Sequence, residues 1–403
     1  MKSAKNWGRL GMKFDVVQLE STGIDVIDGD RGKNYPHQNE LLSTGFCLFL
    51  SAKNVTKSGF SFSETQFISQ RKDALLNNGR LCRGDIVITT RGTVGNVALY
   101  SPQVPYENIR INSGMLIIRC ANNISNQYLY QVLRSEWFQK QIMAVQSGSA
   151  QPQLPKSHFL KMNIPLPPLP IQEKIASILQ LIDDKITTNN SINDNLEQQA
   201  RALYQRMFID NPVSGGYMGT LSDIADITMG QSPNGSSYNE DGNGAVFFQG
   251  RAEFGFRFPS VRLYTTEPKR MACANDTLMS VRAPVGDLNV AYTDCCIGRG
   301  LAAIHSKSNQ QSFVLYTMFS LHKQLDVFNG EGTVFGSINR TSLTELPIFI
   351  PSDREIVKFE AIVAPIDAAI RNNYEEICRL EKIRDALLPK LMSGELDVSA
   401  VEL

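Results

Sequence analysis

The sequence predicts an α+β fold that is built twice. Two globular units of mixed strands and helices are separated by two long helices, which pair antiparallel as a coiled coil. Three observations predict this fold. The chain has 403 residues, too many for a single core. Similar segments recur in the same order in both halves, and each half ends in apolar residues at heptad spacing. The repeat implies a pseudo-twofold relation between the halves.

The internal repeat is clearest in two strand-and-turn segments. "RGDIVITTRGTVGNVAL" (83–99) is similar to "ANDTLMSVRAPVGDLNV" (274–290), and in both an apolar strand ends in Arg-x-x-Val-Gly. Further on, "IDDKI" (182–186) matches "IDAAI" (366–370). A matching framework in a fixed order indicates duplication, and chance similarity does not explain it.

The loops near the start of each unit differ from one another. "GDRGKNYPHQ" (29–38) and "MGQSPNGSSYNEDGNG" (229–244) are both polar and glycine-rich, but they do not match. A duplicated framework with divergent loops indicates that something is recognised twice, and differently each time.

The two long helices need a partner because their apolar stripes are narrow. The stripes consist of Ile171, Ile175, Ile178, Ile182, Ile192, Leu196 and Leu203, and of Phe359, Val363, Ile366, Ile370, Ile377, Leu380, Leu387 and Leu391. Asn189 and Asn373 are equivalent polar interruptions near the midpoints. We expect them either to face each other and fix the register, as a buried Asn does in coiled coils, or to point into solvent. Pro365 predicts a kink or a break before Ile366.

These patterns predict four segments. Proline-rich entrances, of which "IPLPPLPIQEKIASILQLI" (164–182) is the stronger, mark the start of each helical region. The predicted segments are a first globular unit at 1–163, a first helical region at 164–212, a second globular unit at 213–345 and a second helical region at 346–403.

Composition narrows the classes of function. The chain has 40 basic and 40 acidic residues, which argues against gripping nucleic acid by bulk charge but leaves local patches open. No apolar run is long enough to span a membrane. Seven cysteines without a CxxC pair, and four histidines, give no zinc pattern. We expect a cytoplasmic protein with reduced cysteines and no bound metal.

The residues resemble the specificity (S) subunits of type I restriction-modification systems over nearly the whole chain. The resemblance rests on the entrance "IPLPPLPIQEKIASIL" with "IDDKI" after it, on the ending "LEKIRDALLPKLMSGEL" (380–396), and on "ADITMGQSPNGSSYN", "FFQGRAEFG" and "MSVRAPVGDLNVA" in the second unit. In that family two target recognition domains alternate with two helical spacers, and each domain reads one half of a split DNA sequence.

The resemblance implies a DNA-specificity subunit without catalysis of its own. Its implied partners are double-stranded DNA with a bipartite target, modification (methyltransferase) subunits, of which two are expected, and restriction (translocase and nuclease) subunits. The helices would set the spacing and dock the methyltransferase subunits. No cofactor is expected on this chain, whereas S-adenosylmethionine, ATP and Mg are expected on the partner subunits. The sequence agrees, because it contains no Walker A loop, no adenine-pocket motif and no glycine-rich S-adenosylmethionine loop.

Candidate DNA-binding residues are polar or basic side chains on glycine-rich loops, since such groups read base edges or contact phosphates. For each candidate, the alternative is that the side chain is an ordinary solvated surface residue. The candidates are Arg31, Lys33, Asn34, Lys53, Asn54 and Lys57 in the first unit, and Gln231, Ser232, Asn234, Tyr238, Gln249, Arg251 and Arg257 in the second.

Arg91 and Arg282 are a separate case because they occupy equivalent places after the repeated strand. Either they contact phosphates at both half-sites, or they hold the turn that follows the strand. Gly95 and Gly286 in the same turns are expected to supply a backbone conformation that other residues avoid.

The sequence leaves two other functions open. The main alternative is a scaffold, in which a duplicated coiled-coil adaptor binds protein through its globular units and DNA binding is incidental. A stand-alone methyltransferase or nuclease would need a catalytic centre, for which Asp287, beside Asp276 and Glu253, is the available candidate. The equivalent of Asp287 in the first unit is Asn96, so no catalytic carboxylate is duplicated.

Overall fold

The computed structural model describes residues 13–145, 152–210, 215–330 and 336–401. The chain divides into two compact units: unit 1 is Met1–Thr187 with Glu376–Leu403, and unit 2 is Thr188–Glu375. Each unit therefore contains a globular part and one segment of each long helix. Within the ranges described, no helix has the length and apolarity that a bilayer crossing requires.

The strands of unit 1 are short and rich in β-branched residues. They are β1 (Val16–Gln18), β2 (Asp25–Asp28), β3 (Cys47–Leu50), β4 (Val55–Thr56), β5 (Gly59–Phe60), β6 (Phe67–Ile68), β7 (Ile86–Thr89), β8 (Val97–Leu99), β9 (Ile109–Ile111), β10 (Met115–Arg119) and β11 (Asn163–Pro165). Its helices are α1 (Gln70–Leu75), α2 (Asn126–Arg134), α3 (Glu136–Val145), α4 (Lys156–Leu160) and the first part of α5 (Leu169–Tyr204).

Unit 2 repeats the order of the framework strands and of the helices that follow them. Its strands are β12 (Tyr217–Thr220), β13 (Ala225–Met229), β14 (Tyr238–Asn239), β15 (Ala245–Phe248), β16 (Leu263–Thr265), β17 (Met271–Ala272), β18 (Thr277–Ser280), β19 (Leu288–Val290), β20 (Cys295–Ile297), β21 (Leu301–Ser306) and β22 (Pro347–Ile350). Its helices are α6 (Leu221–Ile224), α7 (Gln311–Ser320), α8 (His322–Asp326), α9 (Arg340–Thr344) and the first part of α10 (Asp353–Ser393), together with the end of α5.

The sheet topology confirms the predicted repeat. The order β2-β10-β7-β8 in unit 1 corresponds to β13-β21-β18-β19 in unit 2. The parallel pair β3 and β9 corresponds to the parallel pair β15 and β20. A small β1-β11 ladder corresponds to β12-β22. The two globular parts share one framework although the strands outside it differ.

Both faces of the central strands are buried, which explains their continuous apolar character. In β7, Ile86 and Ile88 pack in a core with α2 and α3, whereas Val87 packs in a second core with β3 and β9. In β18, Met279 and Leu278 divide between two cores in the same way.

The turn after each central strand is also repeated. Gly95 and Gly286 have φ angles of 95° and 96°, a conformation that strongly favours glycine, so the prediction for these two residues is confirmed.

In unit 1, α5 and α10 run antiparallel and are joined by a carboxylate. Asp183 on α5 accepts hydrogen bonds from Gln131 Nε2 at 2.9 Å, from Arg134 Nη1 at 2.9 Å and from Arg384 Nη1 at 3.1 Å. Burial alone would raise the pKa of Asp183, but Arg134 and these hydrogen bonds outweigh it and hold the pKa below its usual range. The ionised carboxylate thus fastens α2 to both long helices.

In unit 2, a hydrogen bond between two asparagine side chains joins α5 to α10. Asn373 Nδ2 donates to Asn193 Oδ1 at 2.9 Å, and Asn193 is 2% exposed. We expected Asn189 opposite Asn373; Asn189 is buried as well, but the hydrogen bond found for Asn373 is to Asn193. Leu179, Ile186, Asn193 and Ala200 are buried on α5 at intervals of seven residues. Because Asn193 is polar, a search for apolar residues at this spacing does not find it.

One expectation about the apolar stripe of α5 was wrong. Ile192 is 42% exposed, because the buried position belongs to its neighbour Asn193. At Pro365 we expected a kink or a break: α10 continues through this residue, so the break is not found, and the kink stays a prediction. Phe359, Val363 and Ile370 are fully buried around it, and this packing offsets the backbone hydrogen bond that proline removes.

The substitution Asp183→Asn should lower the free energy of unfolding of unit 1 by about 2 kcal/mol at pH 7, because Arg134 and Arg384 lose a charged acceptor. Because the pKa of Asp183 is lower in the folded than in the unfolded chain, this stabilisation is present above about pH 4 and is lost as the pH falls through the lowered pKa. Urea denaturation of both proteins from pH 7 to pH 3 measures the difference.

The control is Asp184→Asn, since Asp184 is exposed and accepts from Gln180 in the same helix. An equal effect of both substitutions, or a difference independent of pH, would contradict this role of Asp183.

The substitution Asn373→Ala should destabilise unit 2 by about 1 kcal/mol, because the buried Oδ1 of Asn193 loses its donor. Thermal denaturation compared with Asn190→Ala, an exposed asparagine on α5, measures it. Equal melting temperatures for the two variants would show that the asparagine pair does not stabilise the helices.

Candidate nucleic-acid interface

Three loops of unit 2 meet at the ends of strands β13, β15 and β20. The N–H of Gln231 donates to the carbonyl of Ile297 at 3.0 Å, and the N–H of Arg299 donates to Ser232 Oγ at 3.3 Å. The N–H of Gly300 donates to the carbonyl of Gln249 at 3.3 Å. We call loops 230–234, 249–251 and 298–300 the unit 2 loop cluster. It brings together predicted residues from two separate segments.

Glycines allow the loops of this cluster to approach one another closely. A Cβ on Gly230 would lie 2.1 Å from the carbonyl oxygen of Gly298, and a Cβ on Gly298 would lie 2.9 Å from Gln249 Cα. Neither contact is sterically possible, so glycine is required at both positions. The side chains of the cluster are therefore presented on a tightly fixed backbone.

Basic side chains surround the unit 2 loop cluster. Arg251 is exposed and pairs with Asp287, and Arg299 is exposed between two glycines. The N–H of Val281 donates to the carbonyl of Gly300 at 2.9 Å, which places the exposed Arg282 beside the cluster. Sequence reasoning missed Arg299. The tripeptide Gly-Arg-Gly in "IGRGLAAI" was the available signal, but it was read only as part of the repeat.

Asn234 and Tyr238, the remaining candidates in and after loop 230–234, form hydrogen bonds within their own segment. Asn234 is exposed, and its carbonyl accepts from Ser237 Oγ at 2.7 Å. The hydroxyl of Tyr238 donates to the carbonyl of Pro233 at 3.1 Å, and its ring lies 4.8 Å from that of Phe247. Asn234 is therefore available to a ligand through its side chain, while Tyr238 also shapes the loop.

Arg257 does not belong to this interface, and its assignment to DNA was wrong. Its side chain is 4% exposed and bonds to Asp367 at 3.1 Å and to Glu197 at 3.0 Å, both on the long helices of unit 2. It also donates to the hydroxyl of Tyr316 at 3.2 Å. The alternation of basic and aromatic residues suggested DNA contact. In the structure, Arg257 is instead buried and links the globular part of unit 2 to the helices.

In unit 1 the loop with Arg31, Lys33 and Asn34 is held by its own aspartate. Asp30 accepts from the N–H groups of Gly32 at 3.1 Å and Asn77 at 2.7 Å. Partial burial would raise the pKa of Asp30, but these backbone hydrogen bonds hold it below its usual range.

The three candidate side chains on that loop differ in their engagement. Arg31 Nη2 donates to Asp28 at 3.1 Å, Lys33 is exposed, and Asn34 Nδ2 donates to the carbonyl of Leu75 at 3.1 Å. Lys33 is therefore accessible, whereas Asn34 fixes the loop to the end of α1.

The second predicted set of unit 1 divides into surface and structural residues. Lys53 is exposed beside Glu64, with 2.7 Å between Nζ and Oε2, and Lys57 is exposed. Asn54 is 2% exposed, and its Nδ2 donates to the carbonyls of Ser61 and Glu64. Asn54 therefore closes its own loop, and its assignment to DNA was wrong.

Arg91 and Arg282 have equivalent environments. The backbone of each forms an isolated antiparallel β-bridge. Arg91 is bridged to Gln153 in the loop before α4, and Arg282 is bridged to Ser337 in the loop before α9. Both residues are exposed. The backbone of each arginine thus holds a turn while its side chain faces solvent, so the two alternatives considered for these residues are compatible.

The three carboxylates considered for a nuclease centre each contact a different basic residue. Asp287 pairs with Arg251, Glu253 with Arg262, and Asp276 with His305. This arrangement does not favour a shared catalytic metal ion, which needs carboxylates directed at one point.

Comparisons with known proteins connect the chain to one protein family. A family model described as the type I restriction modification DNA specificity domain matches residues 22–198. The chain is 30% identical over 369 residues to a putative type I restriction enzyme specificity subunit, MjaX, of Methanocaldococcus jannaschii, covering 86% of each chain. It is 22% identical to the HindI specificity subunit of Haemophilus influenzae, covering 91% of this chain and 98% of that one.

A solved structure supports the fold. The type I restriction-modification S subunit of M. genitalium is similar with a TM-score of 0.57 at 16% identity, over 97% of this chain and 98% of that one. Together with the similarity to MjaX, these findings show that the chain belongs to the family of type I restriction enzyme specificity subunits, the non-catalytic subunits that confer DNA sequence specificity.

Proposed function

We propose that this chain reads a bipartite double-stranded DNA target, one half with each globular part, and that α5 and α10 set the spacing between the halves. The four predicted segments, 1–163, 164–212, 213–345 and 346–403, are the functional parts in this proposal. One observation carries it: the same main-chain framework presents different side chains in the two units. The tripeptide Asn112-Ser113-Gly114 of unit 1 stands where unit 2 has Gly298-Arg299-Gly300.

The hydrogen bonds of these two tripeptides support the equivalence. The N–H groups of Thr90 and Arg91 donate to the carbonyl of Gly114, and the N–H of Val281 donates to that of Gly300. The backbone geometry is the same, but Ser113 is small and neutral whereas Arg299 is cationic and can bond two acceptors on a guanine edge. Two such surfaces would select two unlike half-sites.

The partners follow from this role. We propose that the chain works in the cytoplasm, that modification subunits dock on its helices, and that restriction subunits join the complex. S-adenosylmethionine, ATP and Mg would act on those partner subunits. The candidate contacts are the half-buried Ser232 and the exposed residues Arg31, Lys33, Lys53, Lys57, Arg91, Gln231, Asn234, Gln249, Arg251, Arg282 and Arg299.

The substitution Arg299→Ala should relax the methylation target of the complex in one half only. Loss of one base contact lowers affinity by about 1–3 kcal/mol, or about 5- to 150-fold, for the half-site that the cluster reads. The reciprocal substitution Arg31→Ala in unit 1 should affect the other half. Co-expression with the modification subunits, followed by sequencing of methylated sites, measures both effects.

The matched control is Arg354→Ala, an exposed arginine near the start of α10 and outside the loops. It should leave both half-sites unchanged. Relaxation of both halves by Arg299→Ala alone, or a complex with no sequence preference, would contradict the proposal. A uniform loss of binding with a smaller salt dependence would show a phosphate contact at Arg299 in place of a base contact.

A further inference from the structure

A thiol, a carboxylate and an imidazole lie together at the edge of the central sheet of unit 2. Cys273, Asp276 and His305 place one ligand atom each within 4.8 Å of the others. Asp276 is buried, with its side chain 5% exposed, whereas His305 is 55% exposed and Cys273 is exposed. A buried anchor with two accessible donors is a geometry that an ion can enter from solvent.

The main chain holds all three residues in place. Cys273 and Asp276 lie in the turn between β17 and β18, where the N–H of Cys273 donates to Asp276 Oδ2 at 2.8 Å. His305 lies on β21, next to Ile304, which pairs with Thr277 in the ladder. His305 Nδ1 is 2.5 Å from Asp276 Oδ1. The donors therefore sit on a sheet and a tight turn, which are rigid supports.

Unit 1 contains the same arrangement with one change. Cys82 and Asp85 occupy the equivalent turn, and the N–H of Cys82 donates to Asp85 Oδ2 at 2.7 Å. The strand partner there is Arg119, whose Nε and Nη2 bond to the two oxygens of Asp85 at 2.9 and 2.8 Å. An arginine is a permanent cation and does not ligate metals, whereas histidine does.

The change from Arg119 to His305 alters the charge balance. In unit 1 the buried carboxylate always has a full positive charge beside it, while in unit 2 a neutral imidazole would leave Asp276 uncompensated. A bound dication would replace the missing charge and displace the thiol proton to solvent.

We propose that unit 2 binds a divalent ion of the zinc class through Cys273 Sγ, an oxygen of Asp276 and a nitrogen of His305, and that unit 1 does not. Sulfur, nitrogen and oxygen donors in one site suit Zn²⁺, whose tetrahedral ligands stand about 3.3 Å or more apart. The 2.5 Å between His305 Nδ1 and Asp276 Oδ1 must therefore open, and the exposed imidazole has room to turn. A water molecule would complete the tetrahedral shell.

The full-length chain should bind one Co²⁺ with a thiolate-to-cobalt charge-transfer absorption, and Zn²⁺ should displace it and raise the melting temperature. Cys273→Ser should abolish the absorption and lower Zn²⁺ affinity by at least about 10-fold, since even changes outside the ligands cost this much. Cys82→Ser, in the equivalent turn of unit 1, is the matched control and should change neither quantity.

The substitution His305→Arg reproduces the unit 1 arrangement, so it should abolish Co²⁺ binding while the chain keeps its far-ultraviolet circular dichroism and cooperative melting. The proposal is overturned if the wild-type chain shows no thiolate-to-cobalt band. It is also overturned if Cys273→Ser leaves the band intact or if Cys82→Ser removes it. Cys273→Ser and Cys82→Ser each replace a single sulfur atom of the wild-type chain with oxygen. The comparison of these two variants therefore tests the proposal even if His305→Arg fails to fold.

Discussion

Each globular part is fixed to a long helix by an aspartate at the equivalent helix position. Asp183 on α5 bonds to Arg134 in unit 1, and Asp367 on α10 bonds to Arg257 in unit 2. A mostly buried carboxylate must keep its hydrogen bonds, because an unpaired buried charge costs several kcal/mol. The bond therefore fixes the orientation of each globular part on its own helix, and the loops that we propose to read DNA depend on that orientation.

The two aspartates are equivalent in position but not in charge balance. Two arginines, Arg134 and Arg384, surround Asp183, and its pKa is lowered despite burial. Asp367 shares the single Arg257 with Glu197, and burial outweighs this arginine so that the pKa of Asp367 is raised. The duplication thus kept the attachment point, while the partners that neutralise it diverged.

The sequence was sufficient to predict the repeat, the central strands and the antiparallel helices, because these depend on period and order along the chain. It was insufficient where burial is decided by contacts distant in sequence. Asn193 is a core position of α5 that an apolar period does not reveal. Arg257 and Arg251 stand in the same aromatic segment, yet one is buried among carboxylates and the other is exposed. For the proposed DNA interface, the sequence therefore predicts the framework that carries the loops. It does not predict which of the candidate side chains are accessible.

The separation of framework from side chains explains how such a protein can acquire new specificity. The loops are positioned by backbone hydrogen bonds and by glycines, such as the bonds from Val281 to Gly300 and from Arg91 to Gly114. Because no side chain takes part in these bonds, exchange of Ser113 for Arg299 between equivalent loops leaves the framework intact. The exchange of Arg119 for His305 follows the same logic at the sheet edge: the turn and strand stay in place, and only the chemistry that they present changes.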